Sequence, residues 1–184
     1  TVDAATRTET LAGVQQELRD LNGVIQEIID LATDRHELPP FQRLDLADVA
    51  QTAVKRFGVR SARAVTLRST PTPITGDPDA LGRAITNLLS NADKYSPIEK
   101  PVLVEVHDGG LWVSDEGQGI PTADRTKVLD RFFRRQEDRA QPGSGLGLSI
   151  VAGIVDGHGG RVQVTDAPGG GARVGFQLAA NPVR

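Results

Sequence analysis

The sequence predicts an α+β fold: a mixed, largely antiparallel sheet with helices on one face, preceded by a long N-terminal helix. Three observations carry this. An apolar seam with heptad spacing opens the chain, short alternating segments further on are joined by glycine turns, and helical segments are interleaved among them without regular strand-helix-strand crossovers.

The elements follow in order. Leu11, Val14, Leu18, Leu21, Ile25, Ile28 and Ala32 recur at steps of three and four, which places one apolar stripe along a helix. Val24, Ile29 and Leu31 widen it, as in a helical bundle. Left in water, such a seam forfeits on the order of 10 kcal/mol, so we expect it to pair with another helix rather than fold back on its own domain. Pro39 and Pro40 stop the helix, giving a helical region at 1–35, a linker at 36–43 and a second domain at 44–184. Asp45 can cap a helix reaching about Phe57, and the segment from Ala64 to Leu67 reads as a strand. Asp77-Pro78 is a cap followed by proline in the first turn, opening a helix to about Lys94. Strands at 102–106 and 111–114 flank Asp108-Gly109-Gly110, a hairpin turn. A helix is expected over 122–131, another from Leu146 to about Gly157, and two last strands, 161–165 and 172–178, are joined through Pro168-Gly169-Gly170-Gly171.

Composition limits what this fold can do. The 184 residues are 38% hydrophobic and 24% charged with a net charge of -3, which gives no general attraction to nucleic acid or to an anionic membrane surface. Cysteine is absent, so disulfides and thiolate metal sites are excluded, and a cytosolic compartment is allowed. No apolar run approaches the roughly 20 residues needed to span a bilayer. Methionine is also absent, and we expect the chain to be a piece of a longer product.

Three clusters carry candidate chemistry. In the first, Asn87 and Asn91 are four residues apart on a helix, with Lys94 three further along the same face. Amide oxygens can ligate a hard cation and an ammonium can meet phosphate, although taken alone such residues also describe a solvated helix face. The second is Asp115-Glu116-Gly117-Gln118-Gly119-Ile120-Pro121 at the end of the hairpin. Its glycines let backbone approach a flat ligand, and Asp115, a pure acceptor, suits the exocyclic amine of adenine. A calcium loop would need further carboxylates at fixed spacing, which are missing. The third is Gly143-Ser144-Gly145-Leu146-Gly147-Leu148-Ser149, a glycine-rich turn entering a helix, where backbone N–H groups and the helix dipole favour phosphate. It matches neither the P-loop nor the dinucleotide fingerprint.

In order and spacing, N-x-x-x-N-A-x-K-Y-S, D-x-G-x-G-I-P, R-F-F-R and G-x-G-L-G-L together closely resemble the ATP-binding domain of bacterial sensor histidine kinases. That domain belongs to a wider family with gyrase, heat-shock chaperones and mismatch-repair proteins. The resemblance covers residues 44–178 and implies an α/β sandwich with ATP between helices and a mobile lid. It implies that Asn91 holds Mg2+, that Asn87 and Lys94 face the phosphates, that Tyr95 lies against the nucleotide and that Asp115 reads the adenine amine. Gly117, Gly119 and Ile120 would shape the base pocket. Arg134, ending the Arg131-Phe132-Phe133-Arg134 motif, would contact phosphate. Asn87, Lys94 and Arg134 are thus the candidate catalytic residues. Gly143, Gly145 and Gly147 would hinge the lid and cradle the phosphates; Ser144 and Leu146 count with them in the nucleotide-binding run, with Leu146 and Leu148 mainly packing.

By the same resemblance, the long first helix matches the second helix of a dimerisation bundle. The phosphoacceptor helix, with its H-E-x-R-[ST]-P motif, would lie upstream. His36-Glu37-Leu38-Pro39 imitates that motif but lacks its arginine and follows the second helix. His158, before two glycines, fits a helix C-terminus, and His107 a strand end. Partners would be a response regulator, the phosphoacceptor helix of the same parent and a second copy of the parent, with no nucleic acid and no direct membrane contact. The setting would be the cytoplasmic side of a membrane-anchored parent. Rival readings are an ATP-hydrolysing clamp, an anti-sigma-type serine kinase and a purely regulatory nucleotide-binding module. Clamp relatives carry a glutamate four residues before the metal-binding asparagine. Asn87 stands there instead, and a neutral amide cannot take a proton from water.

Overall fold

The computed structural model describes residues 41–61, 63–137 and 144–179; the predicted first helix, His36 and Gly143 lie outside them. Strand β1 (Gln42–Asp45) leads into helix α1 (Leu46–Arg60), followed by β2 (Val65–Ser69) and β3 (Pro73–Gly76). Helix α2 (Pro78–Tyr95) precedes the hairpin β4 (Val102–His107) and β5 (Gly110–Ser114). Helix α3 (Gly147–Gly157) and strands β6 (Arg161–Asp166) and β7 (Ala172–Gln177) complete the fold.

Five strands form one sheet in the order β2-β4-β5-β7-β6. Only β2 and β4 run parallel, because α2 carries the chain across between them; the other neighbours are antiparallel. Alternation fixes the two faces. Val102, Val104 and Val106 on β4, Leu111 and Val113 on β5, and Val174 and Phe176 on β7 pack in one cluster with Leu46 and Ala50 of α1, Leu81, Ile85, Leu88 and Leu89 of α2, and Val151 and Val155 of α3. The three described α-helices therefore cover the same face. On the opposite face His107 stacks on Trp112, and the Arg173 guanidinium lies 5.1 Å from the Trp112 ring while bonding Glu105 at 3.4 Å. Trp112 reaches this arrangement because a Cβ on either Gly110 or Gly175 would collide with its ring.

Both expected helix caps form. Asp45 accepts from Ala47 N–H at 2.9 Å and also from Thr72 N–H at 2.9 Å, tying the start of α1 to the segment before β3. Asp77 accepts from Asp79 and Ala80 N–H at 2.9 and 3.2 Å, with Pro78 in the first turn.

Two departures are informative. Strands β1 and β3 pair antiparallel in a separate two-stranded sheet that the sequence pattern does not announce, being short, polar and begun by a proline in β3. The helix expected over 122–131 is absent: Thr122–Asp124 and Lys127–Leu129 are two short 3-10 turns with no buried residue and no side-chain cap. The segment has no apolar stripe to bury. Arg125, in its middle, turns sideways to donate to Ile120 O at 3.2 Å and to pair with Asp166 at 2.5 Å.

Candidate functional site

Helix α2 is the element on which the clusters meet. Its buried side points into the core through Leu81, Ile85, Leu88 and Leu89, which leaves Asn87 and Asn91, partly exposed, on an adjoining stripe. Helix α3 starts against that stripe. A Cβ placed on Gly147 would stand 3.4 Å from Asn87 Oδ1 and 3.5 Å from Asn91 Oδ1, so both amide oxygens face the first turn of α3. Asn87 spends its own NH2 on Arg83 O at 3.0 Å, keeping its oxygen outward. The Asn91 side chain makes no hydrogen bond among the described residues, so its amide remains open to a ligand.

The second cluster meets the C-terminal end of α2. Asp115 is only 8% exposed, and its Oδ1 accepts from Gly117 N–H at 2.8 Å and Ala172 N–H at 3.2 Å. Oδ2 accepts nothing among the described residues. Gly117 lies so close to Tyr95 that a Cβ there would overlap the Tyr95 carbonyl oxygen, and a Cβ on Gly171 would overlap the Asp115 carbonyl oxygen. Gly171 has φ +82 and Gly119 φ +73, backbone conformations that suit glycine. Ile120 is partly buried against the core.

The third cluster and the phenylalanine motif meet each other. Phe132 N–H donates to Gly145 O at 3.1 Å, and a Cβ on Gly145 would crowd Phe133 O at 2.9 Å and Arg134 Cγ at 3.0 Å. Ser144 Oγ accepts from Leu146 N–H at 3.2 Å, turning the chain into α3, and Leu146 is buried. Phe132 itself is 67% exposed and has φ 62, a positive value for a bulky residue. The Lys94 ammonium lies 4.7 Å from the Tyr95 ring centroid, over the ring of its neighbour.

Thus the structure brings Asn87, Asn91 and Gly147 together, Tyr95, Asp115 and Gly117 together, and Arg134 beside Gly145. Three further contributors escape sequence reading. Gly171 and the Ala172 N–H back Asp115 from β7, although the Pro168-Gly169-Gly170-Gly171 run signals only a turn. Arg63, between α1 and β2, is buried against the end of α2 and carries no local signature.

The chain belongs to the histidine kinase-, DNA gyrase B- and HSP90-like ATPase family, which residues 76–182 match. Among its relatives is the signal transduction histidine-protein kinase/phosphatase MprB of Mycobacterium avium (strain 104), 37% identical over 171 residues that make up 89% of this chain and 32% of the relative. The chain thus spans about a third of the length of such curated relatives. Among solved structures it is similar to the mycobacterial sensor histidine kinase MprB, with TM-score 0.67 and 35% identity over 78% of this chain and 99% of that one. It is also similar to the ATP-binding domain of PrrB from Mycobacterium tuberculosis, with TM-score 0.62 and 25% identity, covering 78% of this chain and 99% of that one. The α+β architecture expected from the sequence is that of these catalytic domains, and the relatives favour the histidine kinase reading over the clamp and anti-sigma readings. No described helix is long and apolar enough to cross a membrane.

Proposed function

We propose that this chain is the ATP-binding catalytic part of a sensor histidine kinase and that it presents the γ-phosphate of ATP to a histidine on a separate helix of the parent. Asp115 Oδ2 accepts the six-amino group of adenine, while Oδ1 stays committed to backbone donors. Gly117, Gly119 and Ile120 shape the base side, and Tyr95 packs along the nucleotide. Asn91, with Asn87 beside it, supplies amide oxygens suited to Mg2+, which when bound neutralises phosphate charge. Ser144, Gly145, Leu146 and Gly147 offer the N-terminal turn of α3 to the phosphates, with Gly143 preceding them, and Lys94 and Arg134 add positive charge.

Phosphoryl transfer asks mainly for positioning and charge stabilisation. The imidazole nucleophile brings its own lone pair and so needs no strong base; it forms the new P–N bond as the bond to ADP breaks. Asn87, which spends its NH2 on Arg83 O, cannot deprotonate water, so slow hydrolysis accompanies transfer to histidine. A response regulator, a dimeric parent and a membrane anchor outside this chain complete the proposal.

One observation carries it: Asp115 is buried and held by two backbone N–H groups on a single oxygen, with the other left for a ligand. Titrating ATP into the chain by calorimetry, with and without Mg2+, tests it. Asp115→Asn puts an amide donor within reach of the adenine amine and should weaken binding by about 10-fold or more, the value of a charge-assisted hydrogen bond. Equal affinity of the variant and the unmodified chain would remove Asp115 from the base site.

A further inference from the structure

We propose that Arg63 is a positioning residue for the nucleotide site, setting the distance between the end of α2 and the loop that carries Asp115. This rests on the nucleotide-binding reading above.

The guanidinium side chain is 1% exposed, a costly place for a permanent charge unless every N–H is used. They are all used. Nε donates to Asp93 Oδ1 at 2.6 Å, Nη2 to Asp93 O at 3.0 Å and Ser96 O at 2.7 Å, and Nη1 to Ser96 Oγ at 3.2 Å, Pro97 O at 2.8 Å and Lys100 O at 2.9 Å. Asp93 and Ser96 are among the last carbonyls of α2 and its cap, which have no partner further along the helix and sit at the negative end of its dipole. Ser61 reinforces the grip: its Oγ donates to Asp93 Oδ1 at 3.3 Å and accepts from Arg63 N–H at 3.2 Å.

What Arg63 holds is specific. Every acceptor of its side chain lies within residues 93–100, the segment that also contains Lys94 and Tyr95. Tyr95 O is the atom against which Gly117 rests, so a shift of the α2 end moves the wall next to Asp115. Lys100, whose carbonyl Arg63 holds, reaches back through its ammonium to Glu116 at 3.0 Å and so ties the same turn to the Asp115 loop a second time. The Asn87, Asn91 and Gly147 contact lies further from this end of the helix. Arg63 therefore governs the α2 end that carries Lys94 and Tyr95 and leaves the Asn87, Asn91 and Gly147 contact in place. A lysine would keep the charge but not the planar fork that reaches carbonyls on both sides.

The test uses the 184-residue chain, calorimetric titration of ADP and ATP with Mg2+, and thermal melts. Arg63→Met is expected to raise Kd for ADP and ATP by the same factor, about 10-fold or more, at a temperature where the variant is folded. Arg63→Lys should fall between Met and the unmodified chain. Val104→Ala, in the core away from the site, serves as a control for lost stability and should keep both Kd values within about 2-fold. The inference is overturned if Arg63→Met lowers Tm but leaves both Kd values unchanged, if the Val104 variant weakens binding as much, or if ATP suffers more than ADP. Should Arg63→Met fail to fold, Arg63→Lys and Asp93→Asn carry the test: normal affinity in both overturns the inference, and weakened binding of both nucleotides by a common factor supports it. An unmodified chain that binds neither nucleotide would instead sink the nucleotide-binding reading itself.

Discussion

At the scale of single residues, glycine has opposite meanings at different positions. Gly171 combines φ +82 with an approach to Asp115 that leaves no room for a methyl group, whereas Gly153, inside α3, has nothing within 4 Å of where its Cβ would stand. We expect Gly171→Ala to cost more than about 1–2 kcal/mol, since a left-handed conformation and a steric overlap act together. Gly153→Ala should gain up to about 1 kcal/mol of helix propensity. Chemical denaturation of the two variants checks the contrast; equal effects would mean that Gly171 relaxes freely. Gly117→Ala should lower nucleotide affinity as well as stability, because the overlapped atom is the Tyr95 carbonyl oxygen at the proposed base site. The Asp115 motif was legible in the sequence because its glycines and carboxylate are neighbours. Gly171 was not, since its partner is more than fifty residues away and a glycine run looks like any turn.

At the scale of elements, the two ends of α2 are both built from long-range polar contacts. Arg63 closes the C-terminal end. At the N-terminal end Asp77 caps the first turn, while His158, 3% exposed, accepts from Asp77 N–H at 3.0 Å through Nε2 and meets Ile154 O at 2.7 Å through Nδ1. The His158 ring also stacks on Phe41 at 4.5 Å and presses so near Gly76 that a Cβ there would stand 2.8 Å from its Cδ2. Asp77→Ala should cost about 1–2 kcal/mol, the loss of a helix cap. His158→Ala should cost more, about 3 kcal/mol, because it leaves the Asp77 N–H unsatisfied and opens a cavity beneath Phe41. Melts of both variants rank them; the reverse order would make the cap, and not the histidine, the main tie between α2 and α3. The helix C-terminal place of His158 was readable from the following glycines, but its role in joining β3, α2 and α3 was not. The 3-10 turns at 122–129 mark the converse failure: proline and polar residues imitate a helix start, yet no apolar stripe follows to stabilise one.

At the scale of the whole molecule, α2 is a spine that orders two halves of the proposed site, adenine toward Tyr95 and phosphate toward Asn87 and Asn91. Saturation with Mg2+ and ATP should therefore stabilise the entire domain cooperatively, by about 2.7 kcal/mol at one hundred times Kd. Tm should rise in step, with Asp115→Asn needing more ATP for the same rise. Phosphate release by the isolated chain should stay far below the rates of ATP-hydrolysing clamps; turnover at clamp rates would argue for water as the acceptor. Trp112, the single tryptophan, lies on the sheet face away from the helices and should report unfolding rather than nucleotide. The sequence by itself determined the caps, the hairpin turn, the alternation that buries one sheet face and the order of the motifs, since each depends on residues a few positions apart. Only the tertiary structure decided which backbone donors hold Asp115, that Gly147 faces both asparagines, and that Arg63 secures the end of α2. Those contacts depend on how strands and helices pack, with the Arg63 partners 30 to 37 residues along the chain, and no local spacing encodes such separations.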